Sequence, residues 1–279
     1  MEVAYYPGCS LHAMAAEYDK SARLVCKSLG VNLREVKDWN CCGATAAHSL
    51  NHRLATDLCT RNLNAVKDMG LNRVIAPCAA CFNRLKTVAQ EYNIKNNGAE
   101  SEVEVSHLLQ FLVEKLGFKA INEKVIKPLS GLKLAAYYGC LLSRPTRIAA
   151  FDDPEQPQTM DRLIQTLGAD TLNWSHKAEC CGGSLSVSFT GVVLKLTGDL
   201  LRAASQAGAD AIAVACPLCQ INLDTRQNEI EAREGISYKL PVIYFTQLMG
   251  LGYGYSPRSL GLNRLLTDPF PLLRARNLV

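Results

Sequence analysis

Ten of the twelve cysteines fall into two sets of five: Cys9, Cys41, Cys42, Cys78 and Cys81, then Cys140, Cys180, Cys181, Cys216 and Cys219. As intervals the sets read C-x31-CC-x35-C-x2-C and C-x39-CC-x34-C-x2-C, and each adjacent pair runs straight into glycine, Gly43 or Gly182. Sets of soft thiolates select zinc, copper(I) or iron–sulfur groups. A structural zinc takes four ligands, often from two C-x2-C knuckles. Each set here offers one knuckle, one adjacent pair and one distant cysteine. Adjacent side chains point in different directions, so they rarely close on one small ion, yet they can reach two irons of one cluster. A regular cubane uses four thiolates. A fifth implies a spare ligand or a cluster that is not a regular cubane, and the chemistry favours iron–sulfur over zinc.

The repeat reaches beyond the cysteines and implies a duplication. VAYYPGCSL matches LAAYYGCLL, DWNCCGATA matches AECCGGSLS, RVIAPCAACFNRL matches AIAVACPLCQINL, and VEVSHLLQFLVEKLG matches PVIYFTQLMGLGYG. The boundary falls in FKAINEKVIKPLSG, which carries Pro128 and Gly131, giving domains 1–124 and 125–279 with a C-terminal tail on the second. Each half reads as strand, cysteine, helix three times over, then a last strand and helix. The β-prone runs of the first half are Val3–Tyr6, Val31–Val36, Arg73–Ala76 and Val103–Val105. Apolar spacings of three and four over Ala15, Tyr18, Ala22, Val25, Leu29 and over Ala55, Cys59, Leu63, Val66 predict the helices between them. The expected fold is α/β: two pseudo-symmetric domains, each a mostly parallel sheet flanked by helices, with cysteine loops at the strand carboxyl ends. That edge is where open α/β sheets bind ligands. Helix amino ends there would favour thiolate charge.

The 279 residues, 48% of them hydrophobic, can fill two cores, and the net charge is only +4. There is no lysine or arginine stripe interleaved with aromatics, which argues against nucleic acid. Arg274 and Arg276 in the tail could dock on an acidic partner or simply be solvated. No run approaches the ~18 apolar residues of a membrane span. MEVAYYPGC lacks the pattern of a secretory signal, so the expected compartment is the cytoplasm, where clustered cysteines mean metal or redox chemistry more often than disulfides. No nucleotide- or flavin-binding motif is present, so electrons must come from partners.

The doubled cysteine pattern resembles the CCG domain. With YYPGC, NCCGA and CPLCQINLD, the whole chain resembles the B subunit of heterodisulfide reductase. The resemblance implies that each five-cysteine set binds a non-cubane 4Fe-4S cluster, so all ten cysteines are ligands and together the catalytic apparatus. It also implies that the two clusters face each other near a pseudo-twofold interface and cleave a disulfide placed between them. Electrons would arrive from a ferredoxin-like C subunit, which connects to a flavin-containing A subunit. Zinc in one half is the lesser alternative. The substrate would be a disulfide or thiol, free or on a carrier protein, with the direction of reaction left open.

Outside the sets, Cys26 and Cys59 lie on apolar helix stripes and read as core residues. His12 and His48 follow Cys9 and Cys42 and are candidates for a proton relay or a hydrogen bond to the first cluster. His52, His107 and His176 have weaker claims. Gly8, Gly43, Gly139, Gly182 and Gly183 would let backbone approach a cluster. Asn83 and Asn222, equivalent in the repeat, would cap or orient the cysteine loops. Two rival functions stand beside the disulfide reductase: an electron relay with the same clusters, and a zinc-stabilised interaction module.

Overall fold

The computed structural model describes residues 1–95 and 103–279. Two four-stranded parallel sheets carry the chain. The first contains β1 (Glu2–Tyr5), β2 (Asn32–Glu35), β3 (Arg73–Ala76) and β4 (Glu104–His107), in the order β2-β1-β3-β4. The second contains β5 (Lys133–Tyr137), β6 (Asp170–Thr171), β7 (Ala211–Val214) and β8 (Val242–Tyr244), in the order β6-β5-β7-β8. The same order twice, all neighbours parallel, is the duplication in three dimensions. The central strands are apolar without alternation, as in AIAV of β7, all four residues of which are buried. That pattern belongs to a sheet covered on both faces.

The expected strands lie within two residues of the observed ones. The helix Ala16–Ser28 buries Tyr18, Ala22 and Val25, and the helix His52–Asp68 buries Ala55, Cys59, Leu63 and Val66. The second begins where Asn51 accepts from the Leu54 N–H at 3.1 Å, a capping bond. The three-fold strand–cysteine–helix rhythm fails once, after Cys140. Two short helices, Thr146–Ala149 and Thr159–Thr166, stand in place of one long one. Between them lies FDDPEQPQ, where the Asp152 carboxylate accepts from the backbone N–H groups of Gln158 and Thr159. Prolines and a side chain that competes for backbone donors favour a loop over a helix.

The halves pack tightly on each other, and one buried apolar cluster runs through both. The helix Ala16–Ser28 lies on the helix Phe245–Gly252. There Tyr18 stacks on Tyr244 with centroids 4.1 Å apart, and the Ser21 and Thr246 hydroxyls meet at 2.7 Å. The helix Ala79–Lys95 faces Thr146–Ala149, where Asn83 and Lys86 donate to the carbonyls of Arg144 and Ala149. Among the described residues no helix is long and apolar enough to cross a membrane.

Candidate metal centres

Every cysteine of the two sets sits at the carboxyl end of a sheet, and the two sets fold alike. Cys9 follows β1 and Cys140 follows β5, each after a glycine. Cys78 follows β3 and Cys216 follows β7, and Cys81 and Cys219 lie in the helices after them. In the first set the Cys9 and Cys41 sulfurs are 3.9 Å apart, and those of Cys42 and Cys81 3.3 Å. In the second set Cys140 and Cys180 are 3.9 Å apart, and Cys181 and Cys219 3.5 Å. Each of the adjacent cysteines is therefore paired with a different cysteine of its set. The sets also approach each other, because Tyr18 and His107 both bond the carbonyls of Pro77 and Ala215, the residues before Cys78 and Cys216, and these two thiols shift each other's ionisation.

The supports are duplicated too. The Tyr6 hydroxyl donates to the Asn40 carbonyl at 2.7 Å, and the Tyr137 hydroxyl to the Glu179 carbonyl at 2.8 Å, fixing the residue before each adjacent pair. Gly43 N–H points at the Cys41 sulfur at 3.4 Å and Gly182 N–H at the Cys180 sulfur at 3.3 Å. These donors come from loop glycines, while the helix amino end expected from sequence acts at Cys216, which is held below the ordinary thiol range by the thiols of Cys219 and Cys78 and by the Cys219 and Leu218 N–H groups of the helix Pro217–Thr225. Gly8 and Gly139 both have φ +67°, and a Cβ on either would lie 3.0 Å from the sulfur of Cys81 or Cys219. Only glycine combines that left-handed backbone with so close a sulfur.

The electrostatics follow the pairing. Contacts from the thiols of Cys42 and Cys9, with the Gly43 N–H behind them, hold Cys41 well below the ordinary thiol range. The Cys140 thiol and the Gly182 N–H bring Cys180 down to about 6. Their partners Cys9 and Cys140 are raised, first by those same sulfur contacts. In both sets the first cysteine of the adjacent pair is thus shifted towards the thiolate, the form that binds metal, and in the second set Cys216 is shifted the same way.

The donor set suits a group with several metal atoms. All twelve cysteines are free thiols. The five of the second set line one cavity of about 80 Å³, whose wall is completed by Ala79 and Ala80 of the first half. Thiolates around one tetrahedral ion, with bonds of about 2.3 Å, lie about 3.8 Å apart, so each pair by itself could share an atom. Yet among the described residues no three His, Cys, Asp or Glu side chains converge on a single ion. A roomier surface hollow of about 710 Å³, lined by Arg34, Asp38, Asp57 and Arg61, holds no cysteine.

The other expected residues are spread more widely. Cys26 and Cys59 are fully buried, and the Cys59 thiol also donates to the Cys42 carbonyl at 3.3 Å. Asn222 donates to the Cys181 carbonyl at 2.9 Å and so orients a cysteine loop. Asn83 instead bonds Arg144 of the other half. His12 packs edge-on to Trp39, His48 shares a hydrogen bond with Arg84 at 3.1 Å, and His176 stacks on Trp174. His52 lies 4.0 Å from the Glu91 carboxylate. Arg276 is no free docking group, since it pairs with Asp210 at 3.1 Å. Sequence reading missed Tyr6, Tyr137 and Tyr18. The first two stand in the repeated YY of YYPGC and YYGC, and that repetition is a signal for them.

The cysteine-rich domain family CCG matches residues 3–86 and 134–224. The chain is 30% identical to the 8-methylmenaquinol:fumarate reductase membrane anchor subunit of Wolinella succinogenes, over 96% of its own length and 97% of that protein's. It is 27% identical to the B subunit of the ferredoxin:CoB-CoM heterodisulfide reductase of Methanosarcina mazei, over 94% and 93%. A hypothetical protein from Helicobacter pylori shares the fold, with a TM-score of 0.72 at 13% identity. The alignment takes in 96% of this chain and 52% of that one. Two matched copies take up more than half of the sequence, and the chain belongs to the CCG cysteine-rich domain family, among the proteins that are like the B subunit of heterodisulfide reductase.

Proposed function

We propose that the chain is the iron–sulfur subunit of a heterodisulfide reductase-like complex and carries out reversible disulfide reduction and thiol oxidation. Cys9, Cys41, Cys42, Cys78 and Cys81 would hold one 4Fe-4S cluster of the non-cubane kind, within residues 1–124. Cys140, Cys180, Cys181, Cys216 and Cys219 would hold a second within residues 125–279. The observation that carries this reading is the identical pairing of two five-cysteine sets brought together at the peptide groups before Cys78 and Cys216. When bound, such clusters would supply two single electrons and Lewis-acid metal atoms to a sulfur–sulfur bond.

The chain's own residues have separate tasks. Gly8 and Gly139 keep space beside Cys81 and Cys219. Tyr6 and Tyr137 fix the loops of the adjacent pairs, and Gly43 and Gly182 favour the thiolate ligands. Ala79 and Ala80 wall the second set with apolar surface. His12 and His48, on the segments after Cys9 and Cys42, are the proposed proton relays. Electrons would reach this cytoplasmic protein from a ferredoxin-like C subunit, itself linked to a flavin-containing A subunit.

A relay reading has its own support in the 30% identity to a subunit of an 8-methylmenaquinol:fumarate reductase. On that reading the same clusters pass electrons onward and cut no disulfide. The test is iron, sulfide and zinc content of anaerobically purified protein, with electron paramagnetic resonance during stepwise oxidation in the presence of thiols. About eight irons per chain and a thiol-dependent signal support the reductase. The same iron with no response to thiols supports the relay. Stoichiometric zinc without iron, in reconstituted samples as well, overturns both in favour of a zinc-stabilised module.

A further inference from the structure

Two buried carbonyls, those of Pro77 and Ala215, stand immediately before the two cysteines at which the sets approach each other, Cys78 and Cys216. The same two side chains serve both. His107 Nδ1 accepts from the Leu109 N–H at 3.1 Å, which leaves the ring proton on Nε2. That N–H donates to Pro77 O at 2.7 Å and to Ala215 O at 3.1 Å. The Tyr18 hydroxyl lies 3.3 Å from each of the same oxygens and shares one proton between them. Both side chains are fully buried. Tyr18 is fixed by its stack on Tyr244, and His107 by the edge-on ring of Phe82 at 5.9 Å.

The arrangement breaks the repeat in an informative way. In the sheet registers His107 pairs with Ala76 and Tyr244 with Val214, two residues before Cys78 and Cys216 respectively. His107 and Tyr244 are therefore equivalent positions. Tyr244 meets the other half by its stack on Tyr18, whereas His107 hydrogen-bonds to both halves at once. Buried carbonyls at strand ends need donors in any protein, and separate donors within each half would meet that need. A donor pair common to both halves does more, because it fixes the distance between them.

We infer that His107 and Tyr18 are positioning residues that set the spacing of the two metal centres by tying the peptide groups before Cys78 and Cys216 together. The inference rests on the reading that both sets hold clusters, but its geometry can be tested without metal.

Metal-free, reduced protein is treated briefly with diamide, a two-electron oxidant that takes up two electrons and two protons as two thiols join. Disulfide-linked peptides are then measured by mass spectrometry. The Cys42–Cys81 and Cys181–Cys219 linkages, each within one half, serve as internal controls. Tyr18→Phe keeps the stack and removes only the hydroxyl. It should slow the Cys78–Cys216 linkage about fivefold relative to the controls, the factor that one lost hydrogen bond corresponds to. His107→Phe should slow it further, and His107→Gln, which keeps a donor, should recover part of the rate. General loosening would slow all three linkages together, and that result, or unchanged ratios, overturns the inference. In protein loaded with iron, Tyr18→Phe should weaken the magnetic interaction between the two centres while iron content stays the same. Wild-type protein that takes up no iron would instead sink the cluster reading and leave the linkage test standing.

Discussion

His107 ties the stability of the chain to pH, and the size of that link can be worked out. Burial pushes its imidazole down from the usual 6.5 to about 4, and the bonds to the Pro77 and Ala215 carbonyls only partly oppose this. The native state therefore holds the ring neutral, while the unfolded chain takes up a proton near 6.5. Because the unfolded state binds more protons, stability from this group is complete above 6.5 and is lost as pH falls towards 4. At about 1.4 kcal/mol per pH unit, the interval corresponds to about 3 kcal/mol. The assay is urea unfolding of reduced, metal-free protein at pH 8, 6 and 4, wild type beside His107→Gln. Wild type should lose about 3 kcal/mol more than the variant over that range, with most of the difference arising below 6.5. Carboxylates and thiols titrate alike in the two proteins and cancel in the difference. Parallel pH profiles would refute the reasoning, since they would mean that the His107 site accepts the charged ring without penalty.

Gly8→Ala should remove the metal of the first set and leave the second, and Gly139→Ala the reverse. Each new Cβ meets a ligand sulfur at 3.0 Å in a left-handed backbone costing about 1–2 kcal/mol, and metal analysis of each variant should find about half the wild-type iron. Lys177→Met should destabilise the chain by about 3–5 kcal/mol in denaturant unfolding, because it strands the buried Asp161 carboxylate, now bonded to Lys177 at 2.6 Å. Adding Asp161→Asn should restore part of that loss. Arg276→Ala breaks a half-exposed ion pair with Asp210 and should shift stability by less than about 1 kcal/mol, a useful control for the tail.

Much of this site is legible in the sequence because duplication writes every constraint twice. The cysteine spacings place all ten thiols at two sheet edges, and the helical stripes at Tyr18, Ala22 and Val25 and at Ala55, Cys59 and Leu63 fall where their periodicity predicts. Two kinds of feature stay hidden. The first is pairing within a set: the linear order does not reveal that Cys41 turns to Cys9 while Cys42 turns to Cys81. That choice depends on the backbone path through Gly43, which only the folded loop defines. The second is contact between halves. His107 has a weak claim from sequence because no cysteine lies near it in the chain. Its importance comes from β4 bringing it level with Ala76, next to Cys78, and from helix packing that delivers Tyr18 to the same carbonyls. Asn83 shows the converse, since equivalence to Asn222 in the repeat suggests a shared task, yet one bonds the other half and the other a cysteine loop.

The departures from symmetry bear on the proposed chemistry. Breaking a sulfur–sulfur bond takes two electrons, and donors that deliver one at a time need somewhere to keep the halves of the reaction until both have arrived. Two copies of one site meet that need if their spacing is fixed, which gives the shared tie at His107 and Tyr18 its point. The two sites need not be identical, because two different thiols make an unsymmetrical disulfide. The surroundings of the sets do differ. Tyr138 lines the cavity of the second set and is anchored through its hydroxyl to Asp161, which holds Lys177. Pro7 stands at the corresponding place in the first half and has no hydroxyl to offer. The first set has His48 bonded to Arg84 close behind the Cys42 loop. On the proposed function, the duplicated parts hold the metal and the unduplicated ones distinguish the two sulfur fragments. Exchanging the residues at Tyr138 and Pro7 should therefore alter which disulfides are turned over while leaving iron content intact. Loss of iron on that exchange, with selectivity unchanged in whatever remains active, would assign Tyr138 to holding the second set together.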